Sequence, residues 1–145
     1  MSKCQNFMPN YFLAKTDPET FSIDDFAREK ITTWDGVHNY QAINFIKQWQ
    51  VGDLVYIYHS MGKAQIVGLA KVVTDPIKDI NDKRNISWVA DLELQDIYPQ
   101  HKQIGLKQIK ATKLFDDWFL VKQSRLSVMN VPTKFVDWFE TAENS

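Results

Sequence analysis

The 145 residues, 44% hydrophobic and 13% aromatic, suffice for one domain with a real core and exclude a disordered tail or a coiled coil. Lys and Arg number 17 against 18 Asp and Glu, a formal net charge of -1, so no global positive field holds nucleic acid indiscriminately. Any nucleic-acid partner must be met by a local face and a pocket. Cys4 is the only cysteine, which excludes an internal disulfide and a cysteine-held zinc and points to a reducing, cytoplasmic setting.

Residues 1–10 lack a basic segment leading into a long apolar run and read as a flexible leader without an export signal. Residues 141–145 read as a polar tail, and 11–140 as a single domain with no stretch of membrane-spanning length. Tyr11 to Lys15 is a short apolar strand stopped at Thr16-Asp17-Pro18. Ser22 and Asp25 have capping-box spacing, with Phe21 and Phe26 placed as a hydrophobic staple, which predicts a helix over Ile23–Glu29. Thr33 to Tyr40, polar and rich in turn formers, reads as a loop carrying large aromatics. Ala42, Phe45, Ile46 and Trp49 then repeat at helical spacing until Val51-Gly52-Asp53.

From Leu54 the pattern turns β-like: a strand to His59, a break at Ser60-Met61-Gly62, and a second strand over Gln65–Val73 predict a hairpin. Gly68 inside the second strand marks a bulge or a close backbone approach, as barrels use to bend. The charged stretch Thr74–Asn85 is a surface loop, followed by a long strand at Ile86–Leu94. Gly105–Ala111 reads as a brief helix, Leu126–Met129 as a last strand, and Pro132 as the first position of a C-terminal helix pinned by Phe135, Val136 and Phe139. The class is α+β.

Several separated motifs then occur in a characteristic order: Tyr11 to Pro18, Phe21 to Asp25, Trp34 to Ala42, Val51-Gly52-Asp53, Tyr58-His59-Ser60, Ile66-Val67-Gly68 and Arg125 to Val128. In this order they resemble the EVE domain, over about Tyr11 to Phe139. The resemblance implies a PUA-like fold related to YTH domains, a small mixed β-barrel flanked by short helices. It also implies a non-catalytic reader of a modified base in DNA or RNA, single-stranded or flipped, with neither cofactor nor metal. Trp34, Asn39, Tyr40, His59, Ser60, Trp88 and the Arg125-Leu126-Ser127 strand are the candidates for the pocket or its mouth, with Lys15 and Thr16 beneath. The chain departs from the usual family pattern at Thr16-Asp17, where Ser-Glu is common, and at His38, where Arg is common.

The residue types fit a base, which needs flat apolar walls for its faces and donors or acceptors for its edge. Burying one methyl group yields only about 0.8 kcal/mol, so sharper discrimination needs an edge hydrogen bond. Trp34 reads as pocket wall or core aromatic; Trp88 is open between the two, and Trp49 and Trp138 read as packing. His59 beside Ser60 reads as structural, because neighbouring strand side chains face opposite ways. Asp35-Gly36 reads as a tight turn, Arg125 pairs with phosphate or a carboxylate, and Lys107, Lys110, Lys113 and Lys122 mostly form an ordinary solvated face. The rival readings are a hydrolase or RNA-processing enzyme on the same barrel, and a nucleoside or small-metabolite binder. Against an enzyme stands the lack of a nucleophile elbow, a phosphate-binding loop, a dinucleotide fingerprint or a zinc-protease motif.

Overall fold

A computed structural model describes residues 8–143; the rest of the expected leader and the last two residues of the expected tail lie outside the described residues. Asn10, at the boundary of that leader, is tied into the fold. Its N–H donates to Asp53 Oδ1 at 3.1 Å, and its carbonyl accepts from Leu54 N at 3.0 Å.

The strands are β1 (Tyr11–Thr16), β2 (Ile31–Trp34), β3 (Leu54–His59), β4 (Gln65–Val72), β5 (Ile77–Lys78), β6 (Trp88–Ile97), β7 (Ile104–Gly105) and β8 (Val128–Asn130). The helices are α1 (Ile23–Glu29), α2 (Tyr40–Gln48), α3 (Leu106–Thr112), α4 (Phe119–Lys122) and α5 (Thr133–Glu143). The main sheet runs β2-β6-β4-β3-β1-β8, with β5 paired to β6 and β7 to β4. It is mixed, because β1 lies parallel to β3 while the other pairs are antiparallel.

The burial pattern explains the order. Phe12, Leu13 and Ala14 of β1 and Val55 to Tyr58 of β3 are buried in unbroken runs, which marks strands covered on both faces. The β3–β4 hairpin shifts register at Ile57/Tyr58, opposite Gly68 and Ile66. A Cβ at Gly68 would lie 2.7 Å from the Asp96 carbonyl oxygen and 2.8 Å from Ile23 Cδ1, so this glycine admits both the next strand and α1. On the far side, Phe135 and Phe139 of α5 pack against Tyr56 with ring centroids 6.1 and 5.5 Å apart, and Trp118 lies 4.6 Å from Phe135. This aromatic cluster anchors the C-terminal helix.

Helix α1 spans its expected residues and carries the capping box: Asp25 N donates to Ser22 Oγ, and Ser22 N to Asp25 Oδ2. Phe21 and Phe26 close the staple at 5.7 Å. The sequence reading needs five corrections. Thr33 and Trp34 are not loop but the end of β2, paired with Asp91 and Ala90 of β6, because the run Ile31-Thr32-Thr33-Trp34 has strand propensity that the turn formers after it hid. The long third strand starts and ends later than expected, at Trp88 and Ile97, and the last strand is Val128–Asn130. Pro132 sits one residue ahead of α5, its carbonyl accepting from Phe135 N. Tyr40 belongs to the first turn of α2.

The two ends of the sheet path, β2 and β8, are not bonded to each other, yet Trp34 of β2 and Ser127 just before β8 line one cavity. The sheet therefore curls into a half-barrel whose gap is bridged by side chains.

Candidate functional site

The gap holds a cavity of about 640 Å³, inside the ~300–1,000 Å³ range of small-ligand sites. Its floor comes from the C-terminal end of β1, where Lys15 and Thr16 stand beside Ser127. One wall is Thr32, Thr33 and Trp34 of β2; the other is Phe21 and the Asp17–Thr20 turn; the loop Asp35–Asn39 forms the roof.

Each side chain is held by its own local structure. Lys15 N donates to the Ser127 carbonyl at 2.8 Å, which fastens the floor to the 124–127 segment. Its Nζ donates to the Ser124 carbonyl at 2.9 Å and lies 5.6 Å from the Tyr58 ring centroid. Burial pushes the Lys15 ammonium below the ordinary lysine range. Thr16 Oγ1 donates to the Phe21 carbonyl at 2.8 Å, so this hydroxyl holds the wall rather than standing free for a ligand.

Trp34 is only 7% exposed and meets Phe21 edge-to-face, with ring centroids 6.3 Å apart. It is core aromatic and cavity wall at once. Asn39 caps α2, its Oδ1 accepting from Ala42 N at 2.9 Å, which leaves the amide NH2 as its remaining donor pair. Gly36, at φ +75°, turns the roof loop through a conformation that favours glycine. His38 Nε2 lies 3.1 Å from Asp82 Oδ1, pinning the roof to the segment 79–87. Asp82 in turn accepts N–H bonds from Arg84, Ile86 and Ser87. Burial works against its ionisation, but those three N–H groups and His38 bring its carboxyl down to about 2.

Of the sequence candidates, Lys15, Thr16, Trp34, Asn39 and Ser127 come together around this cavity. The other six lie off its lining. Tyr40 is 69% exposed on the first turn of α2, and Leu126 is buried in the core. Ser60 sits behind the floor, its N and Oγ donating to the Thr16 carbonyl at 3.0 and 3.4 Å. His59 Nε2 accepts from Ile23 N at 3.1 Å, a structural bond that ties β3 to the start of α1. Burial depresses its pKa, against a smaller upward pull from Asp24. Trp88 is half-buried under the Lys47 ammonium, 5.1 Å from its ring centroid, and Arg125 is exposed.

Sequence reasoning missed Phe21, Thr32, Thr33 and Val37 as lining residues. An assignment of β2 as a strand would have found Thr32, since alternation then puts Thr32 and Trp34 on one face. Among the described residues no cluster of His, Cys, Asp or Glu could hold a metal ion, and no helix is long and apolar enough to cross a membrane.

The model of the EVE domain family matches residues 10–142. A protein from Pseudomonas syringae has a similar structure, with a TM-score of 0.82, 31% identity, and coverage of 91% of this chain and 98% of that one. Human THYN1 protein, solved in complex with 5-methylcytosine containing DNA, superposes with a TM-score of 0.82 at 24% identity, covering 94% of this chain and 98% of that one; at that identity the likeness speaks for the fold. Thymocyte nuclear protein 1 of Rattus norvegicus is 42% identical over 124 residues, 77% of this chain and 55% of the relative. The chain spans about half the length of the curated relatives it matches.

Proposed function

The chain belongs to the EVE domain family, and from that premise we propose that residues 11–140 form one non-catalytic reading unit that captures a modified nucleotide base in the cavity between β2 and β1. The observation that carries this reading is the meeting of Trp34, Lys15, Asn39 and Ser127, from four separate segments, around one cavity of about 640 Å³. An aromatic wall suits the face of a base, and the Lys15 ammonium and the Asn39 amide offer donors to its edge. The THYN1 complex supports 5-methylcytosine in DNA as the first ligand to try.

Two features favour reading over catalysis. His59 lies off the cavity lining with its Nε2 taken by the Ile23 N–H, so it does not stand as a general base there. The near-neutral chain also suits recognition of one base in context rather than coating of a strand. A nucleic-acid ligand agrees with the expected cytoplasmic setting.

The test is a titration of matched oligonucleotides carrying 5-methylcytosine or cytosine, at two salt concentrations. Tighter binding of the methylated strand, weakening as salt rises, supports a reader that touches phosphates. Equal affinity for the two strands removes methyl recognition. Turnover of either strand contradicts the non-catalytic reading.

A further inference from the structure

We propose that Thr33 reads the captured base with its main chain: its N–H donates to an acceptor on the edge of the base, and its carbonyl accepts from the donor beside it. This rests on the base-reading function proposed above.

Register decides which way the Thr33 peptide groups point. β2 ends the sheet path and is paired on one side only, with β6. Along β6 the peptide groups alternate between β2 and β4. Leu94 N donates to the Lys30 carbonyl at 2.9 Å, so Leu94 faces the β2 side; Val73 N donates to the Asp91 carbonyl at 3.0 Å, so Asp91 faces the β4 side. Thr33 stands opposite Asp91. Theirs is a non-hydrogen-bonded pair, and the Thr33 N–H and carbonyl therefore point away from β6, to the open edge. Neither group has a partner among the described residues.

The side chain is engaged elsewhere. Thr33 Oγ1 donates to Asp91 Oδ1 at 2.6 Å, and Asp91 is outside the cavity lining. Alternation turns the Thr33 side chain to the sheet face opposite Thr32 and Trp34. What Thr33 brings to the lining is its main chain, one residue before the Trp34 ring.

An unpaired strand edge seeks partners for its polar groups. An added peptide strand needs a run of them. β2 offers only Ile31 and Thr33, between Lys30, whose φ of 67° breaks the strand, and the roof loop that turns at Gly36. One N–H beside one carbonyl instead suits the edge of a base, where an acceptor stands next to a donor. In cytosine these are the ring N3 and the exocyclic amine, and flipped bases are read along this Watson–Crick edge. The Trp34 ring then serves the face of the same base, with Lys15 and Ser127 across the gap.

The test follows the Thr33 amide in ¹⁵N-labelled wild type. Its hydrogen exchange is measured in the free protein, in the protein saturated with a single-stranded oligonucleotide centred on 5-methylcytosine, and with the same strand made abasic at that position. The amide is expected to exchange fast when free, about tenfold or more slowly with the intact strand, and fast again with the abasic one. Fluorescence anisotropy with the intact strand then compares Thr33→Pro with Thr33→Ala. Both lose the hydroxyl, but only Thr33→Pro removes the N–H, and an edge strand tolerates proline where that N–H faces outward. Thr33→Pro should bind about tenfold more weakly than Thr33→Ala. A Thr33 amide that stays fast in the saturated complex, or a folded Thr33→Pro protein that matches Thr33→Ala, overturns edge reading. Should Thr33→Pro fail to fold, the wild-type exchange decides. Wild type that binds the abasic strand undiminished overturns the base-reading function, and edge reading with it. Weakening by loss of the central base with an unmoved Thr33 amide overturns edge reading alone.

Discussion

His38 Nε2 lies 3.1 Å from Asp82 Oδ1, and this contact joins the roof of the cavity to a segment 44 residues away. Family members that carry arginine at the position of His38 would place a fixed charge where this chain has an imidazole. Here the geometry gives that position a fastening role toward Asp82 rather than a direct reach for phosphate.

Asp82→Ala should therefore do more than remove a charge. It leaves the N–H groups of Arg84, Ile86 and Ser87 without their acceptor and frees His38. The expected outcome is a lower melting temperature and faster amide exchange at Ile86 and Ser87. The same carboxylate carries an acid dependence: it stays ionised down to about 2 in the fold, against about 3.9 unfolded. Its stabilisation is present above about pH 4 and is lost as pH falls toward about 2. Denaturant midpoints for wild type and Asp82→Ala should converge across that window.

His59 sets a second pH dependence, closer to neutrality. Its Nε2 accepts from Ile23 N, and burial lowers its pKa, so the fold holds the neutral ring. The unfolded chain binds the proton first, near its unperturbed pKa of about 6.5, and stability is complete above that value and falls below it. Urea midpoints should drop between about pH 7.5 and about pH 5, and His59→Gln should flatten that slope while lowering the midpoint at the upper pH.

Gly68→Ala should destabilise the fold by about 1–3 kcal/mol, as overpacking does. Its new Cβ would meet the Asp96 carbonyl oxygen and Ile23 at less than 3 Å. Gly36→Ala meets no atom but must hold φ +75°, an expected loss of about 1–2 kcal/mol. Thermal melts of the two variants separate crowding from backbone strain. Only Gly36→Ala should also weaken ligand binding, because it deforms the roof.

Trp34 cannot be tested cleanly by alanine. As a 7% exposed residue packed on Phe21, it would take about 3–5 kcal/mol of stability with it. Trp34→Phe keeps an apolar ring in β2 and should stay folded, while weakening a 5-methylcytosine oligonucleotide about three- to tenfold. Unchanged affinity in a folded Trp34→Phe protein would assign this ring to the core alone.

Much of the fold was legible because local chemistry and tertiary structure agree there. The capping box at Ser22 and Asp25, the apolar face of α2 and the β3–β4 hairpin each carry their own signal within a few residues. β2 was not legible: a four-residue strand ending in Trp34 abuts a turn-rich loop, and only pairing with β6, almost sixty residues away, decides it. The site follows the same division. Lys15, Thr16, Trp34, Asn39 and Ser127 were reached through the ordered motifs, whereas Phe21 was read only as a staple although it also lines the cavity. His59 and Ser60 lie next to the motif residues in sequence, but their bonds run to Ile23 and Thr16 and place them behind the floor.

The central claim is that the cavity between β2 and β1 takes up the base, and side-chain NMR during titration tests it most directly. In an ¹⁵N-labelled protein, the Trp34 indole N–H and the Asn39 amide NH2 should shift and saturate with a 5-methylcytosine oligonucleotide, and stay in place with the same strand made abasic at that position. Binding of the methylated strand with both signals unmoved would contradict the claim.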